Sequence, residues 1–263
     1  MNPPRSGAAD PAIVLELLWG THAAAPRRGP RPALSLARIV QSATAIADGE
    51  GLEALTMRRL AKSLGVGPMA LYTYVPGKAE LLDLMLDAVY AEMPRDAWGD
   101  DSWREKLATV ARDNRALFEA HPWAAEISTS RPPLGPGLMA KYEHELSALA
   151  SAGLDDVDTD AALTFLLDFV RSWALNARAA HATRRDTGMS DEQWWTANAP
   201  LLERIVDEEA FPTAARVGAA AGAAQGGAYS PERAWQFGLE RVLDGLKAVI
   251  DRATSEKGSG PGG

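Results

Sequence analysis

The chain has 263 residues, 46% of them apolar, and no cysteine, so it can bury one large core or two modest ones. Disulfides, thiolate nucleophiles and cysteine-based zinc sites are excluded together, and a reducing compartment fits. The net charge of −8 is unevenly spread, with +5 on residues 27–78, −1 on residues 1–26 and −12 on residues 79–263; DNA affinity follows local potential, so this balance still admits a nucleic-acid partner.

Residues 1–34 are expected to form a flexible arm. Asp10-Pro11 can start a short helix with Ile13, Val14, Leu17 and Leu18 on one face. Docking on the body or on a dimer mate both stay open for it. The segment Ile13 to Trp19 is too short for a secretory signal core and contains Glu16. No apolar run approaches the roughly 20 residues that span a bilayer, so no membrane partner and a cytoplasmic location are expected. Gly20 to Pro32 is rich in Ala, Pro, Gly and Arg, and Arg27, Arg28 and Arg31 suit a minor-groove arm or a solvated basic linker.

A three-helix DNA-binding head is predicted over residues 35–80. Its first helix, about Ser35 to Asp48, carries Leu36, Ile39, Val40, Ala43 and Ile46 at helical period and stops at Gly49-Glu50-Gly51. Thr56 can cap the next helix, in which Leu60, Ala61 and Leu64 form an apolar stripe. Gly65 sits where a helix ends in a left-handed residue, and Gly67-Pro68 restarts one. The second helix of this pair, Pro68 to Tyr74, projects side chains outward in a helix-turn-helix geometry that suits a DNA major groove.

A fourth helix, about Ala79 to Met93, is apolar on more than one face and is the expected hinge between head and body. Residues 81–253 are expected to form a larger helical domain. Its candidate helices are 102–121, 137–151, 159–182, 191–208 and 231–252, and without period-two alternation the fold class is all-α. The Ala/Gly-rich stretch 214–227 suggests a short helix and a mobile loop, either gating or passive, and residues 254–263 suggest a disordered tail.

The run Leu55-Thr56-Met57-Arg58-Arg59-Leu60-Ala61, then Leu64-Gly65-Val66, then Leu71-Tyr72-Thr73-Tyr74-Val75-Pro76-Gly77-Lys78, resembles the TetR family of bacterial repressors. Thinner likeness continues through Ser102-Trp103, Arg131-Pro132, Phe237-Gly238-Leu239-Glu240 and Gly245-Leu246, covering about residues 34–252. The resemblance implies a repressor released from a near-palindromic DNA operator by a small-molecule effector. It also implies a homodimer through the helices near 159–182 and 231–252. The second of these carries an apolar face of Ala234, Trp235, Leu239, Val242, Leu246 and Val249, with Gly238 and Gly245 allowing close crossing.

By that resemblance Arg58 reaches a base, while Thr56, Tyr72, Tyr74 and Lys78 hold phosphates. A guanidinium paired bidentately with guanine gives about 1–3 kcal/mol of discrimination. Gly67, Pro68, Met69 and Ala70 offer a mostly apolar reading surface suited to thymine methyls and shape, and Thr73 adds polar readout. Pro68 and Met69 also fit simple helix-start packing.

The effector site is expected inside the body. Trp103, Val110, Asn114, Leu117, Phe118, Ser130, Phe169 and Trp173 are its candidate residues, with Asn114 singled out as a polar group in an apolar wall. A core asparagine with a protein partner explains Asn114 equally well. Tetracycline-binding members of the family use histidine near these helix ends, partly through Mg²⁺. The matching stretch here, Pro94, Val110, Asn114 and Ile127 to Ser130, has none, so a medium-sized, partly aromatic, apolar effector is expected instead. No cofactor or metal is expected, and the chain lacks a His-Glu-x-x-His motif, a phosphate-cradling glycine loop and a nucleophile elbow. An activator or architectural regulator without effector remains an alternative, as does, further off, a helical carrier or enzyme.

Overall fold

The computed structural model describes residues 10–20, 34–127, 131–227 and 229–258. Among them stand twelve α-helices and no strand, and no helix is long and apolar enough to cross a membrane. Arg27, Arg28, Arg31 and Ser130 lie outside the described residues.

Helix α1 (Pro11–Leu18) begins where the Asp10 carboxylate accepts from the Ala12 amide at 3.0 Å. Val14 and Leu17 are buried, the helix packs on α5, and the Trp19 indole donates to the Leu134 carbonyl at 2.9 Å. Of the two placements left open by the sequence, the chain's own body takes this helix.

The head consists of α2 (Leu36–Glu50), α3 (Met57–Leu64) and α4 (Pro68–Tyr72). Ser35 and Thr56 hydroxyls accept the first free amides of α2 and α3, from Arg38 and Arg59 at 3.3 and 3.1 Å. Gly65 closes α3 in the left-handed region, at φ 70°. Ile39, Ala43, Leu55, Leu60, Leu71 and Val75 are sealed from solvent and hold the tight turn in place. Helix α4 is shorter than predicted: the Tyr74 amide bonds the Leu71 carbonyl at 2.8 Å in a tighter i→i−3 turn, and Pro76 disfavours helical backbone at Val75.

Helix α5 (Lys78–Ala91) joins the two halves, and every residue from Leu81 to Asp87 is buried. Its two-sided apolar pattern is explained by α2 covering one flank and α1 and α8 others. The crossing with α8 (Pro136–Ser147) is close: a Cβ at Gly137 would collide with the Asp87 carbonyl oxygen. There the Asp87 carboxylate accepts from the Gly137 and Leu138 amides at 3.1 and 2.8 Å, meeting the positive end of α8. Burial nevertheless holds this carboxyl above the ordinary aspartate range, with the two amides opposing the shift.

The body adds α6 (Trp103–Ala120), α7 (Pro122–Glu126), α9 (Asp156–Thr187), α10 (Asp191–Ile205), α11 (Pro212–Gln225) and α12 (Pro231–Gly258). Its core is made by α6, α9 and α12, with Leu107, Leu163, Leu166, Val170 and Leu243 almost wholly buried. Each such side chain contributes about 1.5–3 kcal/mol of burial.

Four sequence expectations change here. The stretch 214–227 is helical through Gln225, since its alanines favour helix more strongly than its glycines oppose it. The last helix runs on to Gly258, into the expected tail. Short α7, opened by Pro122, was not anticipated. On α12, Trp235, Leu239, Val242 and Leu246 are consumed by the chain's own core, and Gly238 makes room for the Phe169 ring of the same chain. What α9 and α12 leave exposed is Val157, Phe165 and Phe237, with open space above Gly245. Helix α10 buries no residue and exposes Trp194, Leu201, Leu202 and Ile205.

Candidate DNA interface and effector cavity

Thr56 and Arg58 are exposed at the start of α3, beside exposed Gly67, Pro68, Met69, Tyr72 and Thr73 on and around α4. Met69 is 76% exposed, which counts against helix-start packing as its role. The Thr73 hydroxyl donates to the Ala70 carbonyl at 2.7 Å, which closes α4 and leaves its oxygen free only to accept from a base.

Tyr74 and Lys78, expected at phosphates, are turned inward. The Tyr74 hydroxyl donates to the Leu34 carbonyl at 3.1 Å, and the Lys78 ammonium donates to the Leu52 and Leu55 carbonyls at 2.9 and 2.7 Å. Partial burial lowers the Lys78 pKa from the usual lysine value, with Glu53 opposing the shift. Both residues brace the approach to α2 and the α2–α3 turn, using backbone acceptors that sequence spacing does not reveal.

A cavity of about 660 Å³ lies between the head and the body. One wall is the end of α2, from Ala47 to Gly51; the others come from α6, α7, α9 and the start of α12. Of the predicted effector residues, Phe118 and Trp173 line it. Trp103, Val110, Leu117 and Phe169 instead pack within the two apolar cores, the Phe169 ring stacked 5.6 Å from Trp235. Asn114 is not in the wall either. Its amide donates to the Val110 carbonyl at 2.9 Å and to Glu145 at 2.5 Å, and Glu145 holds the Lys141 ammonium at 2.6 Å. This buried cluster joins α6 to α8 and satisfies the asparagine without a ligand.

The polar lining was largely missed by sequence reasoning. Arg115 sits over the Trp173 and Trp235 rings, 4.3 and 5.0 Å from their centroids, and pairs with Glu119 and Glu232 at 2.8 and 2.9 Å. Asp48, on α2 of the head, uses one carboxylate oxygen twice. It accepts from the Trp123 indole at 2.6 Å and contacts the His121 ring nitrogen at 2.8 Å. Head and body are thereby joined by polar contacts at the cavity edge. The His144 ring stacks on Trp98 at 4.4 Å, so His121 and His144 engage separate partners. From α9 come Arg178, His181, Arg184 and Arg185, together with Ala174, Ala177 and Ala182. That helical repeat of cations separated by alanines was the signal available in the sequence.

The sequence matches "Bacterial regulatory proteins, tetR family" over residues 39–85 and "Tetracyclin repressor-like, C-terminal domain" over residues 94–250. It is 41% identical over 254 residues to the HTH-type transcriptional repressor DrrR1 of Streptomyces coeruleorubidus, across 95% of this chain and 91% of that protein. The tetracycline repressor protein class A of Escherichia coli is 30% identical over 213 residues, 79% of this chain and 88% of the repressor. Among solved structures, ActR of Streptomyces coelicolor in complex with actinorhodin superposes with a TM-score of 0.68 at 31% identity, covering 83% of this chain and 97% of that one. An exposed helix-turn-helix, a helical body beneath it, and matches running through both halves place this chain in the TetR family.

Proposed function

We propose that this protein is a homodimeric repressor that binds a near-palindromic operator through α3 and α4 and leaves it when a small molecule fills the cavity. The observation that carries this reading is the cavity wall contributed by α2. An occupant touches the DNA-binding head and the body at once, so it can bias their relative position directly. Asp48 is the joint we assign to that coupling: an occupant pressing on Trp123 or Asp48 strains the contact between α2 and the α6–α7 corner. The likeness to ActR, solved with actinorhodin bound, supports a small-molecule effector here, and DrrR1, named a repressor, supports the regulatory sense.

On the DNA side, Arg58 is the base-contacting residue. Thr56 and Tyr72 hold phosphates, and Gly67, Pro68 and Met69 form the apolar surface against the groove. Dimerisation through α9 and α12 covers Val157, Phe165 and Phe237 and sets two reading helices about 34–36 Å apart on the duplex. The head comprises residues 35–80, and the effector and dimerisation domain follows it. Fluorescence anisotropy of a labelled duplex from the DNA beside the gene tests the reading. Saturable binding at low salt is expected, and its absence on every local palindrome would refute the proposal.

A further inference from the structure

The charges around the cavity are unequally matched. Each acid in its lining has a partner: Asp48 has Trp123 and His121, Glu50 has Arg59, and Glu119 and Glu232 share Arg115. The bases are less evenly served. Arg184 meets Asp191 at 3.1 Å and Arg178 meets Glu126, but among the described residues His181 and Arg185 have no hydrogen bond or ion pair. Arg178, His181 and Arg185 follow one another at i, i+3 and i+7, which places them along one side of α9. Ala174, Ala177 and Ala182 leave space beside them. Burial is the main cause that pushes the Arg178 guanidinium down from its ordinary value; repulsion from the neighbouring Arg185 adds to it and Glu53 opposes it. An incoming anion relieves that repulsion.

Phe118, Trp123 and Trp173 supply aromatic lining to the same cavity, whose volume of about 660 Å³ suits a small organic molecule. We propose that the cavity takes a planar aromatic acid, its rings against Phe118, Trp123 and Trp173 and its anionic group on Arg178, His181 and Arg185. This ligand class rests on the reading of the cavity as the effector site, and it replaces the apolar effector expected from the sequence.

The test uses two probes with the same ring system, one anionic and one neutral: anthracene carboxylate and anthracene methanol substituted at the same ring position. They are titrated into the DNA-free full-length protein, with tryptophan quenching and calorimetry as readouts. The acid is expected to bind about tenfold more tightly than the alcohol, and raising salt should erode that advantage. The double variant Arg178→Gln/Arg185→Gln should bring the affinity ratio close to one, and Ala177→Phe, which fills the cavity, should weaken both probes. Circular dichroism verifies the fold of each variant; the salt titration on the unmodified protein stands even where a variant does not fold.

Equal affinities, a preference that survives the double substitution, or no binding of the acid would overturn the proposal. Operator release is measured separately by anisotropy. An acid that binds selectively yet never shifts the operator counts against the effector reading while supporting the ligand class. Release by the alcohol as effective as by the acid counts against the ligand class alone.

Discussion

At the residue scale, exposed Arg58 and inward-facing Lys78 should behave differently although the family motif contains both. Arg58→Ala should cost about 1–3 kcal/mol of operator affinity and relax the preference at one base position, measured by anisotropy over a set of mutated duplexes. Lys78→Ala strands two backbone acceptors, at Leu52 and Leu55. It should lower folding stability by about 1–3 kcal/mol in a urea titration, with little change in the salt dependence of DNA binding. A Lys78 variant of normal stability and reduced salt slope would instead restore its phosphate role. Asp48→Ala removes the two polar side-chain contacts, to His121 and Trp123, between α2 and the α6–α7 corner. Effector binding should survive this change, while the effector's influence on operator affinity should fall at least severalfold; an unchanged influence would show that coupling runs elsewhere.

At the element scale, α5 gains its position from helices packed around it, and its crossing with α8 has no slack. Gly137→Ala should destabilise the protein by about 1–3 kcal/mol, because the added methyl meets Asp87 backbone and not a side chain that could swing away. Thermal unfolding followed by circular dichroism checks this. Helix α1 can be judged in the same way. Leu17 is 6% exposed in the apolar cluster that joins head and body around α5, and Leu17→Ala should cost about 2–5 kcal/mol if the arm belongs to its own chain. A neutral result would place α1 off α5 in solution. Helices were legible where caps and period agreed, as at Ser35, Thr56 and Ser102. Boundaries shifted where local turn geometry or composition intervened, as at Tyr74 and Pro76 after α4 and along the alanines of α11.

At the scale of the whole molecule, dimerisation should depend on the apolar side chains that the protomer leaves uncovered. Phe237 is 65% exposed and Phe165 53%. The paired change Phe165→Asp/Phe237→Asp should yield monomers in sedimentation equilibrium and reduce operator affinity more than a hundredfold, since each head alone holds a half-site. A stable dimer after both substitutions would move the interface to another surface.

Spacing from Leu55 to Lys78 determined by itself a helix-turn-helix, because a tight turn between two short helices requires a glycine, a cap and apolar anchors at set places, and the resemblance of that run to the TetR family carried the regulatory reading. The all-helical body followed from periodicity alone. Tertiary structure alone decided which polar groups are free. Asn114 and Lys78 look available in sequence, yet the first is satisfied by Glu145 and the second by two carbonyls. Phe118 and Trp173 were found as cavity residues, while Arg115, Asp48 and the α9 cations were not, since their common space exists only once α2, α6, α9 and α12 have packed. Helical spacing determines which side chains share a face, and packing determines what that face meets.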